Sequence, residues 1–331
     1  NHKSKILFVH NHLASFVRTD RDLLAERYCV REWFQRGRAV NPAALYRAVV
    51  ECDLVFGWFA SWHTFFPILL AKQRHKPSIL VVGGYDSANM PDIAYGNLRG
   101  GIKARVTRAT MQGATALVTN SNFTRAEVIQ NAHVPLTRVT ALYHGLVPAG
   151  APVVSKENLV ITIANVDTSN LERKGLTAFV RAAAHFPETR FVLIGAWRDD
   201  AIDRLRDIAS PNVTFTGYLE QVQLEAYLAR AQVCVQASRH EGFGLAVAEA
   251  MLHECIPVVT RIGALPEVVA DAGIYADSPE PEALARAIRL GLEQDIALGC
   301  RARERIMSTF PLEKRRQQLF TLVQELLGRR V

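Results

Sequence analysis

Short, continuous apolar runs recur along the chain, and stretches with apolar residues at helical spacing separate them. In the first part, the runs predict strands at residues 6–9, 54–57, 79–83, 116–119 and 139–144. The helical spacing predicts helices at 20–27, 42–51, 63–74, 102–111 and 124–131, with a loop at 10–19. Strands that alternate with helices indicate a parallel sheet covered on both faces.

A second alternation begins after residues 148–152, where two prolines and a glycine break the pattern and predict a linker. Strands are predicted at 159–164, 190–194, 213–215, 233–236, 256–260 and 273–275. Helices are predicted at 176–185, 201–208, 221–230, 281–293, 297–308 and 312–327. The sequence therefore predicts an α/β protein with domains at 1–150 and 151–311, and a ligand cleft between them lined by the carboxyl ends of both sheets.

Composition agrees with a cytoplasmic globular protein. Of the 331 residues, 49% are hydrophobic and 21% are charged, which is enough apolar material for a sizeable core. The five cysteines are scattered, odd in number and without a C-x-x-C pair, so neither a disulfide framework nor a zinc site is indicated. No leader peptide is recognisable, and the apolar stretch 54–71 is interrupted by His63 and Pro67, unlike a membrane span.

The net charge of +7 is unevenly shared, with +9 on residues 1–150 and −2 on the remainder. A basic first half favours a negatively charged partner, such as anionic lipid headgroups at the inner face of a membrane or a phosphorylated acceptor, over nucleic acid. A solvated basic surface is the alternative. An aromatic cluster could be a membrane-interface patch near Arg99, Lys103, Arg105 and Arg108, although core packing is favoured; its members are Trp58, Phe59, Trp62, Phe65 and Phe66.

Residues 233–259 carry the clearest chemistry. A short apolar strand leads into a loop with Glu241, followed by Gly242, Phe243, Gly244 and an Ala-rich helix that starts near Leu245. Glu249 lies seven residues beyond Glu241, about one helical turn after Leu245. Glycines and free N–H groups at a helix start suit phosphate or sugar oxygens, so the segment predicts a polar-ligand site; an ordinary strand-loop-helix unit is the alternative.

A basic pair, Arg173 and Lys174, precedes Gly175 and the next predicted helix. Cations beside the positive end of a helix are unfavourable unless an anion binds there too, so a diphosphate is the expected partner. A solvated basic turn is the alternative.

These residues together resemble the Glu-x7-Glu segment of the retaining, nucleotide-sugar-dependent glycosyltransferases of the glycogen synthase and sucrose synthase type, family 4. The likeness includes the serine before Glu241, the Gly-Phe-Gly, the Pro257-Val258-Val259 strand and Gly263-x-x-Pro266-Glu267. It implies the GT-B architecture, in which two Rossmann-like domains face each other and a final helix, here 312–331, packs back on the first.

The resemblance also implies roles for individual residues. Glu241 would bind the donor sugar and Glu249 the ribose, while Lys174 and Arg173 would hold the diphosphate. The backbone around Gly242, Phe243, Gly244 and Leu245 would contact the sugar and phosphate, and the nucleobase would pack near Tyr218 and Leu219. One departure concerns Arg173, because family members often carry the arginine directly after the strand, where this chain has Ala164-Asn165-Val166.

The first half departs further from the family. Gly83-Gly84-Tyr85-Asp86 ends a predicted strand, and Asp86 could bind a sugar hydroxyl or sense the acceptor, where many members have a histidine. A turn-forming aspartate is the alternative. The loop after the first strand lacks the usual glycine pair, so His12 and Arg18, with Tyr85, are the acceptor-side candidates.

Two metal-like patterns are given a structural interpretation. Asp20-Arg21-Asp22 forms a D-x-D, but it is predicted at a helix start, where acidic residues cap. His10-x-His12 has no visible third ligand.

The sequence thus predicts a retaining hexosyltransferase that uses a nucleoside diphosphate sugar and no metal or other cofactor. The acceptor would be a glycan, a lipid-linked sugar or a small molecule. A non-catalytic nucleotide-sugar sensor, and an epimerase or phosphorylase of the same fold, are the alternatives.

Overall fold

The computed structural model describes residues 3–37, 40–148, 150 and 155–328. It divides into two compact units, Asn1–Gly145 together with Leu312–Val331, and Leu146–Pro311. Three residues of the predicted linker, Ala149, Ala151 and Pro152, lie outside the described part of the chain.

The first unit is built on a six-stranded parallel sheet in the order β2-β1-β3-β4-β5-β6. The strands are β1 (Lys5–His10), β2 (Cys29–Phe34), β3 (Leu54–Trp58), β4 (Ser78–Val82), β5 (Ala116–Thr119) and β6 (Val139–Ala141). The helices are α1 (Ser15–Arg27), α2 (Pro42–Glu51), α3 (Trp62–Gln73), α4 (Gly101–Gly113) and α5 (Asn122–Ala132), to which the last helix, α14 (Leu312–Gly328), is added.

The second unit repeats the plan with a parallel sheet in the order β12-β11-β10-β7-β8-β9. Its strands are β7 (Glu157–Ile163), β8 (Arg190–Ile194), β9 (Val213–Gly217), β10 (Ala231–Gln236), β11 (Ile256–Thr260) and β12 (Ile274–Ala276). Its helices are α6 (Thr168–Arg173), α7 (Leu176–Ala182), α8 (Ala201–Asp207), α9 (Gln221–Arg230), α10 (Leu245–Leu252), α11 (Leu265–Val269), α12 (Pro281–Leu292) and α13 (Ile296–Thr309). The predicted two-domain α/β fold is confirmed.

Both faces of the first sheet are covered, and this explains the continuous apolar runs. Along β1, Ile6 and Phe8 belong to one buried cluster, whereas Leu7 and Val9 belong to another. Successive strand residues point to opposite faces, so a strand covered on both sides must be apolar throughout. Leu319, Val323 and Leu326 of α14 lie in the same cluster as Ile6 and Phe8.

Arg315 fixes α14 to α1. Its Nε and Nη2 donate to the two carboxylate oxygens of Asp20 at 2.6 and 2.7 Å, and Nη1 donates to the Leu142 and Tyr143 carbonyls. Both charged side chains are almost completely buried. This two-point arginine–carboxylate geometry is the arrangement in which a buried ion pair has its hydrogen bonds satisfied.

Three local predictions were wrong. Helix α1 begins at Ser15 rather than Asp20, so Asp20 lies inside the helix and does not cap it; its burial follows from its pairing with Arg315. Strand β2 was missed because it is an edge strand with exposed and charged positions, including Arg31 and Glu32. The short helices α6 and α11 were missed because six and five residues give almost no periodic signal.

The predicted aromatic cluster is divided between core and surface. Trp58 is completely buried, and Phe59, Trp62 and Phe65 are partly buried, whereas 40% of Phe66 is exposed. Within the described residues, every helix is too short or too polar to cross a membrane.

Candidate functional site

The centre of the second sheet contains a topological switch point. Strands β7 and β10 are neighbours, and the chain proceeds from β7 outward to β8 and β9 but from β10 in the opposite direction to β11 and β12. The connections leaving β7 and β10 therefore diverge, which opens a crevice beyond their carboxyl ends where open α/β sheets bind ligands. The predicted residues Lys174 and Glu241 follow these two strands.

Lys174 and Glu241 form an ion pair in this crevice. The Lys174 Nζ lies 2.5 Å from the Glu241 Oε2, and the exposed fractions of the two side chains are only 17% and 12%. Gln236, the last residue of β10, donates its side-chain N–H to the same carboxylate oxygen. The structure thus brings together two residues that are 67 positions apart in the sequence.

Burial and pairing act in different directions on these two groups. Burial alone would raise the pKa of the Glu241 carboxyl, but the charge and hydrogen bond of Lys174 prevail and lower it. The pKa of Lys174 is lowered because burial, reinforced by the nearby Arg173 charge, outweighs the attraction of Glu241. With its pKa below the usual range the carboxyl is ionised at neutral pH, so a negative charge faces the amine in the crevice.

Gly175 lets the chain turn directly after Lys174. Its φ is +66°, in the left-handed region, and a Cβ at this position would lie 2.3 Å from the Ala237 carbonyl oxygen. The Lys174 loop can therefore pack against the end of β10 only with glycine here.

Arg173 is held by its own short helix. Asp167 caps α6 by accepting from the Asn170 N–H at 2.9 Å, and the Asn170 amide group donates to Asp167 and to the Asn165 carbonyl. The oxygen of that amide accepts from the Arg173 guanidinium. The Arg173 carbonyl in turn accepts from the Arg239 N–H at 2.8 Å, which ties this basic pair to the loop that carries Glu241.

The glycine-rich loop leads directly into α10. Gly244 has φ +102° and precedes Leu245, the first residue of the helix. The Phe243 ring is buried and meets Phe310 edge-on at 5.4 Å between centroids, so the ring packs inside the second unit. Glu249 is largely buried on the same helix, and burial raises the pKa of its carboxyl.

Gly263 packs against the backbone of the loop that carries Glu241. Its φ is +64°, and a Cβ there would lie 2.4 Å from the Glu241 carbonyl oxygen. That same carbonyl accepts from the Ala264 N–H at 2.9 Å. Gly263, which is part of the family motif, therefore lets the chain pack closely against the Glu241 backbone and fixes the position of that backbone.

Tyr218 and Leu219 follow β9, at the same edge of the sheet. Tyr218 is 69% exposed, so it is not an ordinary core residue. Trp197 was not predicted as a site residue. It follows β8, is 43% exposed and packs near Gly217, while the Arg206 guanidinium lies over its ring at 4.6 Å. The signal available in the sequence was a tryptophan soon after a predicted strand.

The structure favours the turn-forming alternative for Asp86. Its carboxylate is buried and accepts the backbone N–H groups of Ala60, Gly83 and Gly84 at 2.8 to 3.1 Å. Burial raises the pKa of this carboxyl to about 6, and hydrogen bonds to these N–H groups oppose the rise. With both oxygens directed at backbone, Asp86 shapes the turn that follows β4.

The other first-unit candidates lie at the surface. His12 stacks on the Phe59 ring at 5.4 Å and is bonded to Asn11, and burial together with the His10 charge lowers its pKa. Arg18 is exposed on α1. Tyr85 is 40% exposed, and its hydroxyl accepts from the Lys103 Nζ at 3.3 Å.

The two metal-like patterns have structural partners instead. Asp20 is bonded to Arg315, Asp22 to Arg21, and the His10 Nε2 lies 3.1 Å from the Glu32 carboxylate. Among the described residues, no group of three or more His, Cys, Asp or Glu side chains is placed to hold a metal ion.

A family model matches most of the second unit. Residues 157–294 match the model for Glycosyl transferases group 1, a range that contains Lys174, Glu241 and Glu249. The O-antigen chain mannosyltransferase B of Escherichia coli is 31% identical over 206 residues, which are 56% of this chain and 54% of that protein. A GDP-mannose-dependent alpha-(1-6)-phosphatidylinositol dimannoside mannosyltransferase of Mycobacterium tuberculosis is 39% identical over 79 residues, 23% of this chain and 20% of that protein. The chain thus spans about half the length of the first of these relatives, and less of the second.

Solved structures agree over the whole chain. The Anabaena protein HepE, in complex with UDP and glucose, superimposes with a TM-score of 0.78 at 16% identity, covering 97% of this chain and all of HepE. Sucrose-phosphate synthase of Thermosynechococcus elongatus gives a TM-score of 0.74 at 17% identity, covering 98% of this chain and all of that one. At these identities the likeness establishes the two-domain α/β fold.

Proposed function

We propose, because residues 157–294 match the model for Glycosyl transferases group 1, that this chain transfers a hexose from a nucleoside diphosphate sugar to an acceptor hydroxyl with retention of configuration. The observation that carries the proposal is the Lys174–Glu241 pair at the switch point between β7 and β10. It places a cation suited to a diphosphate next to a carboxylate suited to sugar hydroxyls.

The leaving diphosphate would be stabilised by fixed positive groups. Lys174 supplies a buried ammonium, Arg173 a guanidinium held by Asn170, and the loop before Leu245 supplies backbone N–H groups at the start of α10. Positive groups directed at developing negative charge in a partly water-excluded site stabilise a transition state strongly. We propose that these groups perform the work that a metal ion performs in other transferases.

The donor sugar and nucleoside would follow the same edge of the sheet. The Glu241 carboxylate would accept sugar hydroxyls once Lys174 turns to the diphosphate, and Glu249 would accept the ribose hydroxyls. Trp197 and Tyr218, both exposed beyond neighbouring strands, offer aromatic surfaces to a nucleobase.

Retention would follow if the acceptor attacks from the face that the diphosphate leaves. In that geometry a phosphate oxygen of the departing group takes the acceptor proton as the new glycosidic bond forms and the sugar–phosphate bond breaks. A dedicated protein base is then unnecessary. The stereochemistry of the product, followed by NMR of the anomeric proton, tests this step directly.

The acceptor would be a glycan or a lipid-linked sugar. The relatives that carry an O-antigen chain or a phosphatidylinositol dimannoside in their names support this choice. A cytoplasmic location fits five scattered cysteines without a C-x-x-C pair, and a basic first unit fits contact with an anionic surface.

Donor turnover without added acceptor tests the proposal. The chain is incubated with UDP-, GDP- and ADP-sugars, and released nucleoside diphosphate is measured for the wild type, Lys174→Ala and Glu249→Ala. We expect one donor class to raise the melting temperature and to be hydrolysed slowly, with turnover strongly reduced in both variants. Stabilisation by a donor with no turnover, even when glycan and lipid-linked acceptors are added, would instead indicate a nucleotide-sugar sensor.

A further inference from the structure

Two neighbouring helices of the first unit expose an apolar surface that the proposed reaction does not use. Tyr46 and Val50 lie four residues apart on α2, and Phe66 and Leu69 lie three apart on α3; their exposed fractions are 46%, 38%, 40% and 37%. Such spacings place each pair on one helix face. We call this surface the α2–α3 face.

A groove runs between the two helices on this face. It has a volume of about 500 Å³, and Tyr46, Phe66 and Leu69 line it together with Val40, Leu45 and Leu70. The inner faces of the same helices are firmly packed, because Leu45, Ala48 and Ile68 are fully buried in the core. The α2–α3 face is therefore a preformed surface, and exposing aromatic and aliphatic side chains together in this way marks an interaction site.

Cations border the α2–α3 face. The Arg74 guanidinium lies 6.0 Å from the centroid of the Tyr46 ring, and Lys72 follows Leu69 by three residues on the exposed side of α3. Arg47 is exposed next to Tyr46. Within the described part of the chain none of these three cations is ion-paired, whereas Glu51 at the end of α2 is neutralised by Arg31 at 2.8 Å.

The charge of the whole unit has the same sign. Residues 1–145 and 312–331 carry 23 Lys and Arg against 11 Asp and Glu, a formal charge of +12, whereas residues 146–311 carry 16 against 21, or −5. All of the net positive charge of the chain therefore comes from the unit that bears the α2–α3 face. A potential of this sign attracts an anionic surface.

We propose that the α2–α3 face docks on an anionic lipid bilayer, with Tyr46, Phe66 and Leu69 entering the interfacial layer and Arg47, Lys72 and Arg74 among the headgroups. Aromatic side chains favour the membrane interface, and basic residues favour the negative surface potential of anionic lipid. A second copy of the chain fits less well, because a two-fold contact through this face would oppose like charges. This inference rests on the proposed function, because a lipid-linked acceptor would be reached at such a bilayer.

Vesicle sedimentation tests the proposal without requiring turnover, so it can fail independently of the proposed reaction. The full chain is mixed with vesicles of phosphatidylcholine, pure or containing about a third phosphatidylglycerol, at low and high salt. Two double variants disrupt the face. One combines Phe66→Ser with Leu69→Ser, and the other combines Lys72→Glu with Arg74→Glu. Their matched controls, Val222→Ser and Arg286→Glu, change exposed residues of the second unit.

We expect binding only to the anionic vesicles, weakening with salt, and lowered at least about tenfold by either double variant but by neither control. Equal binding by the double variants and the wild type would overturn the proposal. So would the absence of vesicle binding together with a concentration-dependent dimer that the Phe66→Ser and Leu69→Ser variant abolishes, which would assign the face to a second copy. Far-UV circular dichroism of both double variants establishes that lost binding is not lost folding.

Discussion

The Nζ of Lys174 lies 2.5 Å from the Oε2 of Glu241, so the cation proposed for the donor diphosphate and the carboxylate proposed for the donor sugar neutralise each other in this structure. A bound donor brings a diphosphate with two negative charges to the lysine. It also brings sugar hydroxyl groups, which can donate hydrogen bonds to the carboxylate. Donor binding is therefore expected to exchange this ion pair for two new interactions, rather than to fill a site that is already arranged for it.

Removing one member of this pair should cost more stability than removing both. Lys174→Met leaves a mostly buried carboxylate without its counter-charge and is expected to lower the free energy of unfolding by about 3 kcal/mol. Lys174→Met with Glu241→Gln should recover most of that loss, yet neither variant should turn over donor. Urea unfolding and nucleoside diphosphate release measure the two effects. Equal stability losses in the single and double variants would show that the two charges are not coupled.

Gly263→Ala should reduce turnover by displacing the Glu241 backbone. The new Cβ would lie 2.4 Å from the Glu241 carbonyl oxygen, so the loop must move, and a shift of the order of 1 Å at a reacting group costs about a hundredfold in rate. Gly37→Ala is the matched control, because Gly37 has a similar positive φ of +72° but nothing within 4 Å. Comparable turnover in the two variants would remove Gly263 from the supporting role.

Trp197→Ala and Tyr218→Ala should raise the KM for the donor with little change in kcat. Stacking of a base on an aromatic side chain is worth about 1–3 kcal/mol, which corresponds to roughly five- to 150-fold in affinity. Tyr46→Ala, which alters an aromatic residue of similar exposure in the first unit, is the control for donor binding. If only kcat falls, the two rings do not contact the nucleobase.

His63 should make stability depend on pH below neutrality. Burial lowers its pKa from 6.5 to about 4, although its Nε2 is bonded to the Trp58 carbonyl at 2.7 Å. The unfolded chain therefore binds a proton as the pH falls below about 6.5, whereas the folded chain does not until about 4. The stability associated with neutral His63 is present above pH 6.5 and decreases toward pH 4, by about 3 kcal/mol in total.

His63→Gln keeps a donor for the Trp58 carbonyl and removes the titration. Urea unfolding of both proteins at a series of pH values between 7 and about 4.5 isolates the contribution of His63, because the other histidines are common to both. A constant difference between the two proteins across this range would contradict the prediction.

Arg315→Met should destabilise the chain by about 3–5 kcal/mol, because Asp20 would remain buried with its charge uncompensated. Arg316→Met, on the same helix but partly exposed, should cost less than about 1 kcal/mol. Thermal and urea unfolding compare them. Asp20→Leu combined with Arg315→Met should restore much of the loss, and a further loss in the double variant would contradict the assignment.

Periodicity predicted eleven of the twelve strands, because strands such as β3 and β4 are buried on both faces and leave an unbroken apolar record. Strand β2 has no such apolar run, because an edge strand with exposed charges has a sequence pattern that is compatible with several structures. The Asp20–Arg315 pair could not be predicted either, because its members are 295 residues apart and only the fold brings them together.

In the candidate site, too, local sequence patterns were predictive, whereas contacts between distant residues could not be predicted. Glu241 and Glu249 were identified by a local motif whose spacing is set by one strand, one loop and one helix, and Lys174 was identified by the basic pair that precedes Gly175 and the next helix. Asp86 was predicted to bind a ligand because it follows a strand. Its carboxylate instead accepts hydrogen bonds from three backbone N–H groups, and one of them belongs to Ala60, which no local sequence pattern could indicate. The contact between Lys174 and Glu241 itself depends on β7 and β10 lying side by side.

The return of α14 to the first unit has a consequence for the order in which the protein matures. Residues 146–311 are contiguous, so during synthesis the second unit has its full set of strands while the first still lacks the helix that covers Ile6 and Phe8. Until Leu319 and Val323 emerge, this face of the first sheet is covered only in part, by residues such as Val17 and Leu24 of α1. Chaperone dependence and cotranslational aggregation should therefore concentrate on the amino-terminal sheet, although it is translated first.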